Sequence, residues 1–208
     1  VTTGSVEPFK QLFADWGNKV QFVDVIVRQA HPGPSVEAYR SLDQKLADAR
    51  RYLEDEAIPW TVLVDDLQGT VHQVYGGLAD PVYLIDRDGR VAFYLHWANG
   101  PTLHMAMSAL AQQDGLGIVM GGLSRYPHVG AAVTDGWKGL SRGLPQSLID
   151  METSLPGSGV GTWLGHQIKP AIGALTLKSR PLTRDRRARY AAIAGGLAGA
   201  VLLGRRRS

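Results

Sequence analysis

A chain of 208 residues, 44% of them hydrophobic, has room for one ordinary domain plus an appendage, or for two small domains, and enough apolar material for a core. It contains no cysteine, which excludes disulfides, thiolate metal sites and thiol–disulfide exchange by these residues alone and leaves the redox compartment open. The net charge of +3 hides a division: residues 1–113 hold 9 Lys/Arg against 14 Asp/Glu, whereas residues 114–208 hold 13 against 5, and 17 of the 25 glycines. A half of net −5 therefore joins a half of net +8 near Asp114. No secretory signal pattern is visible and residue 1 is Val, so a processed chain and one lacking a natural N-terminal segment both fit.

Phe9, Leu12, Phe13 and Trp16 follow helical spacing, and Pro8 suits a first turn, so Pro8–Trp16 reads as a short amphipathic helix. Val20–Arg28 is β-branched and aromatic, the composition of a buried central strand. It breaks at Ala30-His31-Pro32, because Pro32 lacks the N–H that a sheet ladder needs. Ser35 is placed to cap a long helix through Tyr39, Leu42, Leu46, Ala49 and Leu53, ending near Ala57. Trp60–Val64 is a second strand, and Asp66 can cap a short helix, Leu67–Tyr75, ended by Gly76-Gly77. Pro81–Asp86 and Arg90–Trp97 flank an Asp86-Arg87-Asp88-Gly89 turn and read as a hairpin. Gly100-Pro101 then opens a helix ending near Gln113. Strands joined through a long helix run parallel and a hairpin is antiparallel. The expected fold is α/β: a thioredoxin-like four-stranded mixed sheet with flanking helices, plus a long irregular or helical C-terminal extension.

Residues from about Gly4 to Gln113 resemble the redoxin-like branch that contains the iodothyronine deiodinases. The matching pieces are Gly4-Ser5-Val6-Glu7-Pro8-Phe9, the strand ending in Ala30-His31-Pro32, Val74-Tyr75-Gly76, Val82-Tyr83-Leu84-Ile85-Asp86 and Asn99-Gly100-Pro101, in that order and spacing. Aligned on Pro8-Phe9, Val6 occupies the position of that family's reactive selenocysteine or cysteine. Arg28 and Gln29 stand where the family has two acidic residues, and Pro81 falls one residue after the usual place of a cis-proline, so a cis bond at Asp80–Pro81 is not expected. Reductive chemistry needs a soft nucleophile where helix-terminal charge stabilises its anion, and Val6 offers only methyl groups. Ser5 and Thr3 lie nearby, but a hydroxyl cannot cycle through sulfur-type oxidation states.

At the end of a strand, where open α/β sheets bind ligands, His31 is the first candidate for chemistry. The resemblance implies a proton donor or phenol-binding group there; the plainer reading is a half-buried His bonded to a loop carbonyl. A metal site from His31, His72, His96 and His104 would need ligands converging from separate elements without ligand spacing, so no metal and no cofactor is expected. His96-Trp97 either lines a pocket or covers the core from an edge strand. Asp65-Asp66 and Asp86/Asp88 are explained by capping and turn duties. Three residues, His31, Pro81 and Val6, would bound a small-molecule pocket, with Trp97 beside it.

From Asp114 to Lys178 the chain is Gly-rich and weakly periodic, too apolar for a solvated linker and poorly suited to a core of its own. It is expected to lie along another protein or in a membrane interface, with short helices near Leu144–Ser154 and Ile168–Leu177. Arg184–Arg189, with Arg186, Arg187 and Arg189, precedes Tyr190–Gly204, an uncharged run holding Leu197, Leu202 and Leu203, and Arg205-Arg206-Arg207 follows. Fifteen residues at about 1.5 Å each reach roughly 22 Å, short of a typical span unless arginines snorkel. A membrane-inserted or membrane-surface helix, a partner-bound helix and a basic tail fit in that order, and the absence of interleaved aromatics makes a nucleic-acid partner the weaker reading. The expected divisions are residues 1–113, 114–180 and 181–208. The expected function is a non-catalytic thioredoxin-like accessory subunit attached to a membrane or membrane complex. On this reading the chain is membrane-associated on a side left open, with its globular part in the cytoplasm. The alternative is a deiodinase- or redoxin-like oxidoreductase using a thiol or selenol from outside this chain.

Overall fold

The helical spacing of Phe9, Leu12, Phe13 and Trp16 is realised in α1 (Thr2–Trp16), within a computed structural model that describes residues 2–182. Pro8 is not in the first turn but inside the helix, where it removes a backbone donor. Packing from outside holds the turn before it. Gly4 lies so close to a later helix that an added Cβ would sit 3.2 Å from the Ala131 carbonyl oxygen, and Ser5 Oγ donates to the Ala98 carbonyl at 3.3 Å.

β1 (Val23–Ile26) pairs in parallel with β2 (Thr61–Val64), and the crossover contains α2 (Leu42–Asp55). Ser41, not Ser35, caps α2, its side chain accepting the Gln44 N–H at 3.2 Å. Ser35 is committed elsewhere, its hydroxyl donating to the Leu144 carbonyl. After α3 (Thr70–Val74), β3 (Val82–Ile85) and β4 (Val91–Leu95) form the expected hairpin, with Tyr83 opposite Tyr94 and Gly89 at φ 79° in the turn. The acidic pairs bind backbone N–H groups of their own turns, but α3 starts at Thr70 rather than Leu67 and its N-cap is Gly69, not Asp66. Asp65 accepts the N–H groups of Asp66, Val71 and His72, Asp66 that of Thr70, and Asp86 those of Asp88 and Arg90. Asn99 caps α4 (Gly100–Ala111).

The molecule is mixed α/β, but its strands form two small sheets rather than one of four strands: β1–β2, and β3–β4 joined by β5 (Leu123–Ser124) parallel to β4. β1 is short and half-buried, with Val23 43% exposed, because the chain leaves the ladder after Ile26 to reach residues 143–146. Asp80–Pro81 is trans; the cis peptide among the described residues is Leu144–Pro145. One core cluster gathers Leu12, Leu84, Phe93, Leu95, Leu103 and Met107 between α1, the hairpin and α4. A second joins Val6, Ile58 and Trp60, with Phe13 and Phe22, edge-to-face with each other, packed against it.

The glycine-rich half lies along this chain's own α1. It forms α5 (Val129–Arg142), α6 (Gln146–Ser154), α7 (Ser158–Gln167) and α8 (Lys169–Thr176), of which α6 and α8 match the two helices expected there. α5 packs on α1 and α7, and glycine permits the approach: a Cβ on Gly165 would lie 2.3 Å from the Val133 carbonyl oxygen. Polar bonds fasten the halves. Glu56, 4% exposed at the end of α2, receives Lys138 Nζ at 2.7 Å and Arg142 at 2.8 Å. Arg180 pairs with Asp15 at 2.9 Å. The run from Tyr190 to Gly204 and its flanking Arg186, Arg187, Arg189 and Arg205–Arg207, with Leu197, Leu202 and Leu203, lie outside the described residues.

Glu56→Gln keeps the shape but removes the charge that two cations share. It is expected to lower stability by about 1–3 kcal/mol, read as a lower urea midpoint with an unchanged slope.

Candidate functional site

His31 hydrogen-bonds a carboxylate rather than a loop carbonyl. After β1 the chain runs without regular structure through Ala30-His31-Pro32-Gly33-Pro34 and presses onto the turn between α5 and α6. A Cβ on Gly33 would sit 2.5 Å from Gln146 Cβ, and the Ser35 hydroxyl holds the Leu144 carbonyl. This docking brings His31 to α6, which carries Gln146 and Asp150 one turn apart on one face. His31 Nδ1–H donates to Asp150 Oδ2 at 2.9 Å, and Gln146 Nε2–H donates to Asp150 Oδ1 at 2.7 Å. Both side chains of the pair are about a third exposed, 36% for His31 and 35% for Asp150.

The His31 bond, with that from Gln146, holds the Asp150 carboxyl below its ordinary range against a smaller opposing effect of burial. Asp150 is therefore an ionised acceptor that fixes the His31 tautomer, and the other ring nitrogen, Nε2, makes no hydrogen bond among the described residues. A carboxylate-oriented imidazole can take or give a proton. A nucleophile for it to activate is another matter: the Ser35 hydroxyl is committed to Leu144, and Ser147, 2% exposed, donates to the Leu140 carbonyl at 2.6 Å.

Val6 is 6% exposed and packs with Ile58 and Trp60, so it is a core side chain and does not line an open pocket with His31. Pro81 and Trp97 are neighbours across a bridge from Asp80 to Trp97. Ser5 approaches them through Ala98, whose N–H donates to Asp80 Oδ2 at 3.3 Å. Trp97 extends an aromatic row, with Tyr83 stacked on Tyr94 at 4.9 Å and His96 5.5 Å from Trp97. Two clefts of about 590 and 510 Å³ lie elsewhere, the larger between α1 and α7/α8 beside Glu7, His166 and Lys169, the smaller beside Phe22 and Trp60. His31, His72, His96 and His104 do not converge, and among the described residues no three His, Asp or Glu side chains are arranged to hold a metal.

Deeper in the fold, the Tyr52 hydroxyl donates to Asp24 at 3.0 Å. Burial raises the Asp24 carboxyl above its ordinary range, opposed by the nearby Trp60 side chain and the Tyr52 hydroxyl. Burial also raises the Tyr52 phenol, with Asp24, Glu56 and Asp80 adding to the shift. Lys45, 1% exposed, donates to the Asp65 and Asp66 carbonyls at 2.9 Å each, closing the end of β2. Sequence reasoning missed Asp150 and Gln146. Their spacing on the expected helix was visible, but nothing local connects them to a residue more than a hundred positions earlier. Comparison of the chain with protein families, curated proteins and solved structures finds no match.

A carboxyl whose value falls on folding stabilises the protein above the ordinary carboxylate range, and that contribution is lost as pH drops through the lowered value. Asp150→Asn is therefore expected to lower the urea midpoint near neutral pH, with the gap to the unsubstituted chain closing in acid. A gap that stayed constant down the acid limb would show that the Asp150 charge contributes nothing.

Proposed function

We propose that this chain is a non-catalytic accessory subunit, its first part a thioredoxin-like domain of the deiodinase and redoxin kind, attached to a membrane or membrane complex through its C-terminal half. One observation carries the reading. The side chain at the position where the resembling family keeps its selenium or sulfur is Val6, and it is packed into the core with Ile58 and Trp60. The strand relations support the fold part: β1 is parallel to β2 and β3 is antiparallel to β4, the pairings expected of the crossover and the hairpin. The fastening of His31 to Asp150 fits a corner used to dock the second half. The attachment part rests on the arginine-bracketed apolar run at residues 184–207. Among the described residues no helix is long and apolar enough to cross a membrane.

A second reading, an oxidoreductase borrowing a thiol or selenol from another molecule, is favoured by the oriented His31 ring, whose Nε2 could serve as proton donor. Assay of the full chain with an iodinated phenol or a peroxide, with dithiothreitol as reductant, separates the two. The accessory reading expects no turnover above the uncatalysed rate. Turnover abolished by His31→Ala would overturn it in favour of the second. Fractionation tests attachment: the full chain is expected with membranes, and a chain ending at Leu182 is expected to be at least partly released.

A further inference from the structure

The sidedness of α7 is inverted. Gly159, Thr162 and Gly165, small residues one turn apart, face the protein, where Cβ atoms on the two glycines would meet Leu148 and the Val133 carbonyl at 2.3 Å. Its large apolar side chains face away: Val160 is 56% exposed, Trp163 44%, Leu164 52%, and Ile168 at the joint with α8 53%. At i, i+3, i+4 and i+8 these form one continuous stripe. A helix held by small residues and presenting Val, Trp, Leu and Ile outward is suited to a hydrocarbon-rich surrounding rather than to water.

Charge indicates which surrounding. From Thr153 to Leu182 the chain contains Lys169, Lys178 and Arg180 and no Asp or Glu, Lys169 pairing with Asp135 at 2.6 Å and Arg180 with Asp15 at 2.9 Å, and the arginine-rich run follows directly. The nearest preceding acids are already engaged. Asp150 accepts from His31 and Gln146, and Glu152 accepts the Gly157, Gly159 and Val160 N–H groups at the start of α7. An apolar stripe centred on a tryptophan, in an acid-free basic segment, matches an anionic bilayer surface: acyl chains take the stripe, and headgroups take Lys178 and the partly exposed sides of Lys169 and Arg180.

We propose that α7 lies flat in the interface of an anionic membrane, with Trp163 at headgroup depth and Val160, Leu164 and Ile168 turned toward the acyl chains. This rests on the membrane-attachment reading above and extends it to a described helix independent of residues 184–207. The test uses the full chain in flotation with vesicles of phosphatidylcholine and phosphatidylglycerol, and with phosphatidylcholine alone. Trp163→Phe identifies the share of tryptophan fluorescence that comes from position 163. Expected are flotation with the mixed vesicles, a blue shift and brominated-lipid quenching absent from Trp163→Phe, and a partition coefficient lowered about tenfold or more in Leu164→Gln. Because Phe preserves the apolar stripe, the quenching result stands even if Leu164→Gln folds poorly. Flotation of the unsubstituted chain without Trp163 quenching overturns this inference and leaves membrane attachment standing. Absence of flotation overturns both. A blue shift that instead follows protein concentration without lipid assigns the stripe to a second copy and overturns the inference.

Discussion

The buried carboxylate of Glu56 constrains the whole arrangement. A charge taken almost completely out of water at the end of α2 is tolerable only while its two cations stay in place. Both cations come from α5, so the second half cannot lift away without stranding an anion in the core. The same logic recurs on the surface, where Arg180, in the segment after α8, returns to Asp15 of α1. In each case the acid belongs to the first half and the base to the second. The division of charge near Asp114, which in the sequence reads as two different objects, is also the imprint of one interface.

Helix packing against that interface is what glycine allows. By intrinsic propensity, Gly130, Gly136, Gly159, Gly161 and Gly165 argue against helices in this stretch, since each costs on the order of 1 kcal/mol relative to alanine in a helix interior. Tertiary contact outweighs propensity because α5 approaches α1 and α7 so closely that backbone carbonyls occupy the space of a missing Cβ. This is why α5 and α7 are not legible in the sequence. In α7 the periodicity is carried by small residues on the buried side and large ones on the exposed side, the reverse of what an amphipathic pattern encodes. α6 and α8, with more conventional patterning, are legible.

The remainder divides along the same physical line. Features set by neighbours in the chain can be read directly: the Asp86–Gly89 turn, the helix opened by Gly100-Pro101, the hairpin and the parallel crossover. Features set by distant partners cannot. Ser35 resembles a helix cap locally but is drawn to Leu144, so the cap falls to Ser41. The expected four-stranded sheet fails for the same reason, because the chain that would prolong β1 is diverted to the α5–α6 turn. His31 was identifiable as the residue to watch, whereas its partner Asp150 had no local signature.

The diversion also explains what kind of corner His31 occupies. In an open α/β sheet the end of a strand is left free for a ligand; here it is filled by Gly33 against Gln146 and by Ser35 against Leu144. The imidazole that could move a proton instead fixes α6, and α6 in turn supports α7, through Gly159 against Leu148 and Glu152 at the start of that helix. A run of contacts therefore leads from the strand end to the exposed apolar stripe. The strand end is thus the footing on which the second half stands, and that footing orients the surface the chain presents outward.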